Sequence, residues 1–295
     1  VTRIAALAGA IIISFSAIFY ALSGANAVTG GFFRVAYAIP ALAVIWFARR
    51  REDHRPLRHR VIAFVTGIAF ALDLTAWHTA IHYIGSGLAT LLANTQVILV
   101  AVAAWLIFGD RPRRLVMMAI PVVLLGVALI SGIGQDDAFG SDPVKGTLIA
   151  LAAAVFYTIF MLVLKYTNTA KAPAAGPLLD VSAGAVLAML VIGALGERID
   201  FTWDWPASGW LLALALGPQV IGWMMIGYAL PRLPAAETAT IVLLQPALTM
   251  VWGSIIFDER PSALQIAGAV IVLAGVAMVA ASGGGSGDRP AVEGT

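Results

Sequence analysis

The sequence predicts an all-α polytopic membrane protein, with ten transmembrane helices arranged as two inverted five-helix repeats. Three observations carry that expectation. Of the 295 residues, 60% are hydrophobic and 12% charged, with a mean hydropathy of +0.92. Soluble domains carry roughly 25% charged residues, and no soluble core could hide this much apolar surface. Apolar runs recur at the length of about 20 residues that a helix needs to cross hydrocarbon. Period-2 alternation is absent, and open strand edges cannot face lipid. Finally, residues 80–130 and 229–279 align without a gap at a constant offset of 149.

The elements follow in order. Span 1 (4–23) comes after a lone Arg3, has no credible cleavage site, and so reads as a span rather than a signal peptide. It closes at Ser23-Gly24, and span 2 (29–48) stops at Arg49, Arg50 and Arg51. Span 3 (61–83) ends at the turn Gly85-Ser86-Gly87, and span 4 (87–108) at Gly109-Asp110-Arg111-Pro112. Span 5 (115–133) precedes the acidic loop of Asp136, Asp137 and Asp142. Span 6 (145–165) runs to the lysines 165 and 171, and span 7 (177–196) starts at Pro177. An amphipathic segment from Glu197 to Pro206, with Trp203 and Trp205, leads into span 8 (207–229). Pro231-Arg232-Leu233-Pro234 then turns the chain into span 9 (235–256), and Arg260-Pro261 into span 10 (263–282). These bounds divide the chain into a first repeat (1–137), a second (138–282) and a Gly/Ser-rich tail (283–295) expected to be disordered.

Matches between alanines or leucines mean little in two apolar segments, but the rarer ones do. Gln96 falls on Gln245, Phe108 on Phe257, Arg111 on Arg260 and Pro112 on Pro261. The repeated pair is therefore spans 4–5 and 9–10, and the unit holds five spans. An odd number of spans makes the second copy enter the membrane from the opposite side, an arrangement typical of secondary transporters. One set of loops holds 14 Lys and Arg and the other set only Lys145, Arg198 and Arg260, which puts both termini in the cytoplasm.

These residues resemble the drug/metabolite transporter superfamily and, within it, the EamA-type ten-helix family. The shared signals are the short turns before spans 4 and 9, the Gln245-Pro246 pair, and the acidic-Arg-Pro turn after spans 4 and 9. The similarity covers nearly the whole chain except the tail. It is greatest to YddG-type exporters of aromatic and other neutral amino acids. The resemblance implies a basket-shaped bundle whose central cavity is lined mainly by spans 3, 4, 8 and 9, with spans 1 and 6 nearby. Val97 stands where span 9 has Pro246, so the two halves are not expected to flex equally.

Candidate substrate-binding residues follow from depth and chemistry. Asp73 sits midway along span 3, where an ionisable group costs at least ~2.5 kcal/mol and usually faces a wet cavity or the bundle interior. On a straight helix Trp77 lies about 40° from Asp73, whereas His78 is rotated by about 140°, so Asp73 and His78 cannot point at one spot. His78 is nonetheless a candidate lining residue, while His82, near the span's end, reads as structural. Asn94 shares a stripe with Thr90, and Gln96 lies about 200° away. Gln96 and Gln245 occupy equivalent positions in the two copies. Tyr20, Tyr157, Trp77, Trp223 and Tyr228 are rings within spans, suited to an aromatic or apolar solute. Gly217 and Pro218, with Gly222 beyond, mark span 8 as a bendable gate or a fixed kink. Arg34 reads as a residue snorkelling outward. Asp180 and Glu237 read as acids in the first turns of spans 7 and 9, and Ala119, Gly126, Gly268 and Gly275 as a small-residue seam between spans 5 and 10.

The expected activity is export of aromatic and other neutral amino acids, or similar small metabolites, across a bacterial inner membrane by alternating access. A multidrug or organic-cation exporter with Asp73 as cation partner is the alternative. An intramembrane enzyme would need a catalytic constellation. The sequence has no H-E-x-x-H, no G-x-S-x-G, no cysteine and no acidic pair of metal-ligand spacing within a span. A channel would show a ring of repeated pore charges. No cofactor or metal is expected. A net charge of +2 gives no case for nucleic acid, leaving a small solute and the bilayer as partners, with the protein a monomer or a homodimer.

Overall fold

A computed structural model describes residues 2–108, 114–167, 174–229, 232–233 and 235–282. The first acidic-Arg-Pro turn (110–112), the prolines 231 and 234, the side chain of Glu237 and the tail lie outside the described residues. All regular structure among the described residues is helical. Five apolar runs each suffice for one crossing: Thr2–Ser23, Ala27–Ala48, Pro143–Leu164, Ala175–Leu195 and Ala207–Ala229. Ala263–Ala280 is a sixth, while Arg114–Ile130 and Leu243–Phe257 are shorter apolar helices. The remaining run, Leu57–Ala103, is 47 residues long, far more than the ~20 that one crossing takes. It folds back at Gly85, whose φ of 79° and ψ of 170° interrupt the helix. Phe70 and Asn94 consequently line one cavity, although a continuous helix would hold them about 36 Å apart at 1.5 Å per residue. With that fold-back and the two shorter helices counted, the described residues hold ten apolar helical stretches, and the protein is a multi-pass membrane protein.

Local chemistry sets the ends. Asn26 caps span 2, its Oδ1 accepting the Thr29 N–H at 2.7 Å. Gly24, at φ 62°, closes span 1 in the left-handed region that suits glycine. Span 1 itself is interrupted at Phe15, and the Ser14 hydroxyl just before it bonds back to the Ile11 carbonyl at 2.6 Å.

Bilayer-embedded helices gain little from hydrophobic burial against one another, so close backbone approach takes its place. Spans 5 and 10 meet along the small-residue seam, where a Cβ on Gly126 would stand 2.8 Å from the Gly268 carbonyl oxygen. Two further seams were not visible as repeats. Gly67 and Gly184 bring spans 3 and 7 together, and Gly9 and Gly222 do so for spans 1 and 8.

Asp180 corrects the sequence reading. Instead of only complementing a helix dipole, it pairs with Arg55 at 2.9 Å and Arg60 at 3.5 Å, linking the start of span 7 to the connection between spans 2 and 3. Asp53, in that connection, is bonded by Arg55 at 2.8 Å, and this holds its carboxyl down at about 2.

Glu259 does more than finish its own turn. Its buried carboxylate accepts from the Ser86 N–H at 2.6 Å, the Ser86 hydroxyl at 2.8 Å and the Gly87 N–H at 3.2 Å. It thereby caps the start of span 4 from the far end of the sequence. Replacing Glu259 with Ala strands all three donors and is expected to cost about 1.5–3 kcal/mol of unfolding free energy in detergent or lipid. Glu259→Gln, which keeps an acceptor, is expected to cost less. Equal stability of the Ala variant and the parent would contradict the cap.

Candidate functional site

Spans 1, 2, 3, 4, 6, 8 and 9 converge on a central cavity of about 140 Å³. One water needs about 10–15 Å³ on that measure, so the space holds several waters or one small solute. Span 3 contributes Phe70, Asp73, Leu74 and Trp77, the i, i+3, i+4, i+7 face of a helix.

Span 4 reaches the cavity through a break. The helix stops at Ala93 and restarts at Gln96. Across the gap the backbone tightens to i→i+3 bonds: Thr95 N–H to Leu92 O at 3.0 Å, Val97 to Asn94 at 3.2 Å and Ile98 to Thr95 at 2.9 Å. The Asn94 side-chain amide donates to the Thr90 carbonyl at 2.8 Å, satisfying an acceptor in the turn before the break. This overturns the wheel that separated Asn94 from Gln96. Both line the cavity, because the rotation per residue changes between them. Irregular backbone at membrane depth is tolerated where it borders a cavity or is buried in protein.

Arg34 also departs from expectation. It does not snorkel: it is 6% exposed and lines the cavity. Its Nε donates to Gln219 Oε1 at 2.9 Å, and its guanidinium carbon lies 5.5 Å from the centroid of the Trp77 ring. Asp73 and Tyr157 line the same space. Gln219 is fully buried and belongs to a π-helical stretch, Ala215–Gly222, formed around Pro218. Proline has no N–H to give an i→i−4 bond, and the wider π spacing absorbs that loss. Gly217 and Pro218 are thus in the turn that presents Gln219, while Gly222 packs against Ile13.

Seven of the ten candidate residues border the cavity: Asp73, Trp77, Asn94, Gln96, Tyr157, Trp223 and Gln245. The other three do not. Tyr20 and His78 stack face to face with centroids 3.7 Å apart, and the Tyr20 hydroxyl meets His82 Nε2 at 2.7 Å. His78 Nδ1 lies 3.2 Å from the Ala27 carbonyl, so this nitrogen carries the proton and donates. That cluster ties spans 1, 2 and 3 together. Tyr228 is 46% exposed, its ring covered by Arg232 at 4.2 Å. Among residues not taken as substrate-binding from the sequence, Arg34, Gln219, Ser16 and Thr90 are polar groups in or beside the cavity. An arginine inside an apolar span is itself the signal that could have found the first of them.

The chain matches the EamA-like transporter family over residues 2–132 and 144–281. It belongs to that family. It is 26% identical to the threonine/homoserine exporter RhtA of Salmonella typhimurium over 70% of this chain and 65% of that one. It is 24% identical to an uncharacterized transporter, YvbV, of Bacillus subtilis over 68% and 64% of the two chains. A probable terminal-alkyne amino-acid exporter of Streptantibioticus cattleyicolor is 24% identical over 78% and 75%. The aligned part therefore spans a little under two thirds of the first two relatives' lengths. A protein of known crystal structure shares the fold at a TM-score of 0.59 and 17% identity, covering 94% of this chain and 95% of its own. Membership of a transporter family, not a family of enzymes, agrees with the lack of a catalytic constellation in the sequence.

Gln219→Leu removes the acceptor of Arg34 Nε and is expected to lower unfolding free energy by about 1–3 kcal/mol. Paired with Arg34→Met, the loss should be less than additive by at least about 0.5 kcal/mol. Strict additivity in a double-mutant cycle would show that the two side chains do not act together.

Proposed function

We propose that this protein exports neutral amino acids, aromatic ones included, by alternating access across a bacterial inner membrane. Two inverted halves, 1–137 and 138–282, rock about the central cavity, with both termini in the cytoplasm. The observation that carries this reading is the cavity itself: a small, mixed polar and aromatic space bordered by a broken helix in the middle of the bundle. The relatives named as exporters of amino acids support the substrate class.

In this reading Trp77, Tyr157 and Trp223 pack on the substrate's side chain. Asn94, Gln96 and Gln245 bond its polar groups, Asn94 through the carbonyl oxygen that its bond to Thr90 leaves free. The stacked pair Tyr20 and His78 supports the cavity wall from behind. Gly217, Pro218 and Gly222 form the flexing turn of span 8, and Tyr228 sits beyond the cavity on the path from it.

The test is efflux from proteoliposomes loaded with radiolabelled L-threonine, L-leucine or L-phenylalanine. At least one should leave faster than from empty-vesicle controls, with saturation. Trp77→Ala is expected to cut transport efficiency roughly 2- to 12-fold, the value of one lost ring contact. Absence of efflux for all three would contradict the proposal. An organic-cation exporter predicts instead transport of a quaternary ammonium ion, which the guanidinium of Arg34 in the same cavity disfavours.

A further inference from the structure

The two ionisable groups in the cavity are not used up by the protein. Arg34 spends one of its five N–H donors on Gln219, the one hydrogen bond its guanidinium makes among the described residues. Asp73 is 6% exposed and has no hydrogen-bond partner among the described residues. Both line the same cavity, yet no guanidinium nitrogen comes within 4.0 Å of the carboxylate. Opposite charges inside a membrane bundle normally pair, since leaving either alone is costly. Here they face a common space with a gap between them. Gln219 and the Trp77 face fix the guanidinium, so its free fork is oriented before anything binds.

We infer that Arg34 and Asp73 form a clamp for a zwitterion, Arg34 taking the α-carboxylate and Asp73 the α-ammonium group of one solute. The clamp rests on the proposed amino-acid transport and adds the selection rule: both groups must be on the same small molecule. A solute carrying both ends completes the ion pair that the protein leaves open. An amine satisfies only Asp73 and an acid only Arg34, so either leaves one buried charge exposed to a mismatched partner. The rings of Trp77, Tyr157 and Trp223 then tolerate a range of neutral side chains.

The experiment is binding to purified protein in detergent, read by calorimetry, with three probes built on one side chain: L-phenylalanine, phenethylamine and 3-phenylpropanoate. The clamp predicts that each single-ended probe binds the parent protein about 10- to 100-fold more weakly than the amino acid, the worth of one charged hydrogen-bonded contact. Arg34→Gln should weaken L-phenylalanine and 3-phenylpropanoate by at least tenfold and leave phenethylamine within threefold. Asp73→Asn should weaken L-phenylalanine and phenethylamine and spare 3-phenylpropanoate. A structural role would instead move all three probes together, and that result overturns the clamp. If either variant fails to elute as a single folded species, the parent's ranking of the three probes decides, and comparable affinities overturn the clamp. Should L-phenylalanine, L-threonine and L-leucine all fail to bind the parent, the amino-acid reading falls and the clamp with it. Binding of amino acids without the crossed pattern removes the clamp alone.

Discussion

An ionisable group is costly inside hydrocarbon, and the centre of this protein is arranged around two of them. Arg34 enters from span 2 and Asp73 from span 3, and each is enclosed without being neutralised by the other. Gln219 and the Trp77 ring supply polarity around Arg34, and Tyr157 lines the same cavity. That requirement explains why span 2, away from the centre in the simplest reading of such a bundle, contributes to the cavity. It also explains why span 8 carries an amide, fully buried, in its π turn. Desolvating a charge costs several kcal/mol even after relaxation, so the cavity must be wet or filled. A partly polar, mid-bundle space is what a transporter needs.

The backbone obeys a related constraint. In lipid every N–H and C=O must find an internal partner, so departures from the helix occur only where something compensates. At Gly85 the carboxylate of Glu259 takes three donors. At Asn94 and Thr95 the side chains and the i→i+3 bonds do so, with Thr95 Oγ1 donating to Leu92 O at 2.6 Å. Around Pro218 the π spacing does so. The last two of these irregularities border or support the cavity, and the first ties the start of span 4 to the turn between spans 9 and 10. Span 9, the counterpart of span 4, runs unbroken from Ala235 to Phe257 with Pro246 inside it. The two copies thus reach similar Gln positions, Gln96 and Gln245, by different local geometry.

What the sequence made legible followed from length and depth. Ten apolar stretches need only counting, and the place of Asp73 at the cavity only the cost of burial. Trp77 followed from Asp73 by helical spacing, and the wheel that set His78 on another face agrees with its place in the Tyr20 stack. The same wheel misplaced Asn94 relative to Gln96, because it assumes about 100° per residue through a segment that is not helical. Arg34 was misread because snorkelling depends on depth and facing: span 2 starts at Ala27, not 29, which sets Arg34 about two turns inside the helix, and its side chain lines the cavity. Its acceptor, Gln219, is 185 residues away, and no local pattern announces such a partner. Asp180 likewise depended on a partner from another span, Arg55.

The central claim is that the cavity is a passage opened alternately to the two sides. The chain contains no cysteine, so a single introduced thiol reports on its own position. Thr90→Cys places that thiol in the cavity wall with a hydroxyl-sized change. In right-side-out and inside-out vesicles, a small membrane-impermeant methanethiosulfonate reagent should label it from both sides, and saturating L-phenylalanine, L-threonine or L-leucine should slow the labelling. Labelling from neither side, or from one side only under every condition, would contradict an alternating passage through this cavity.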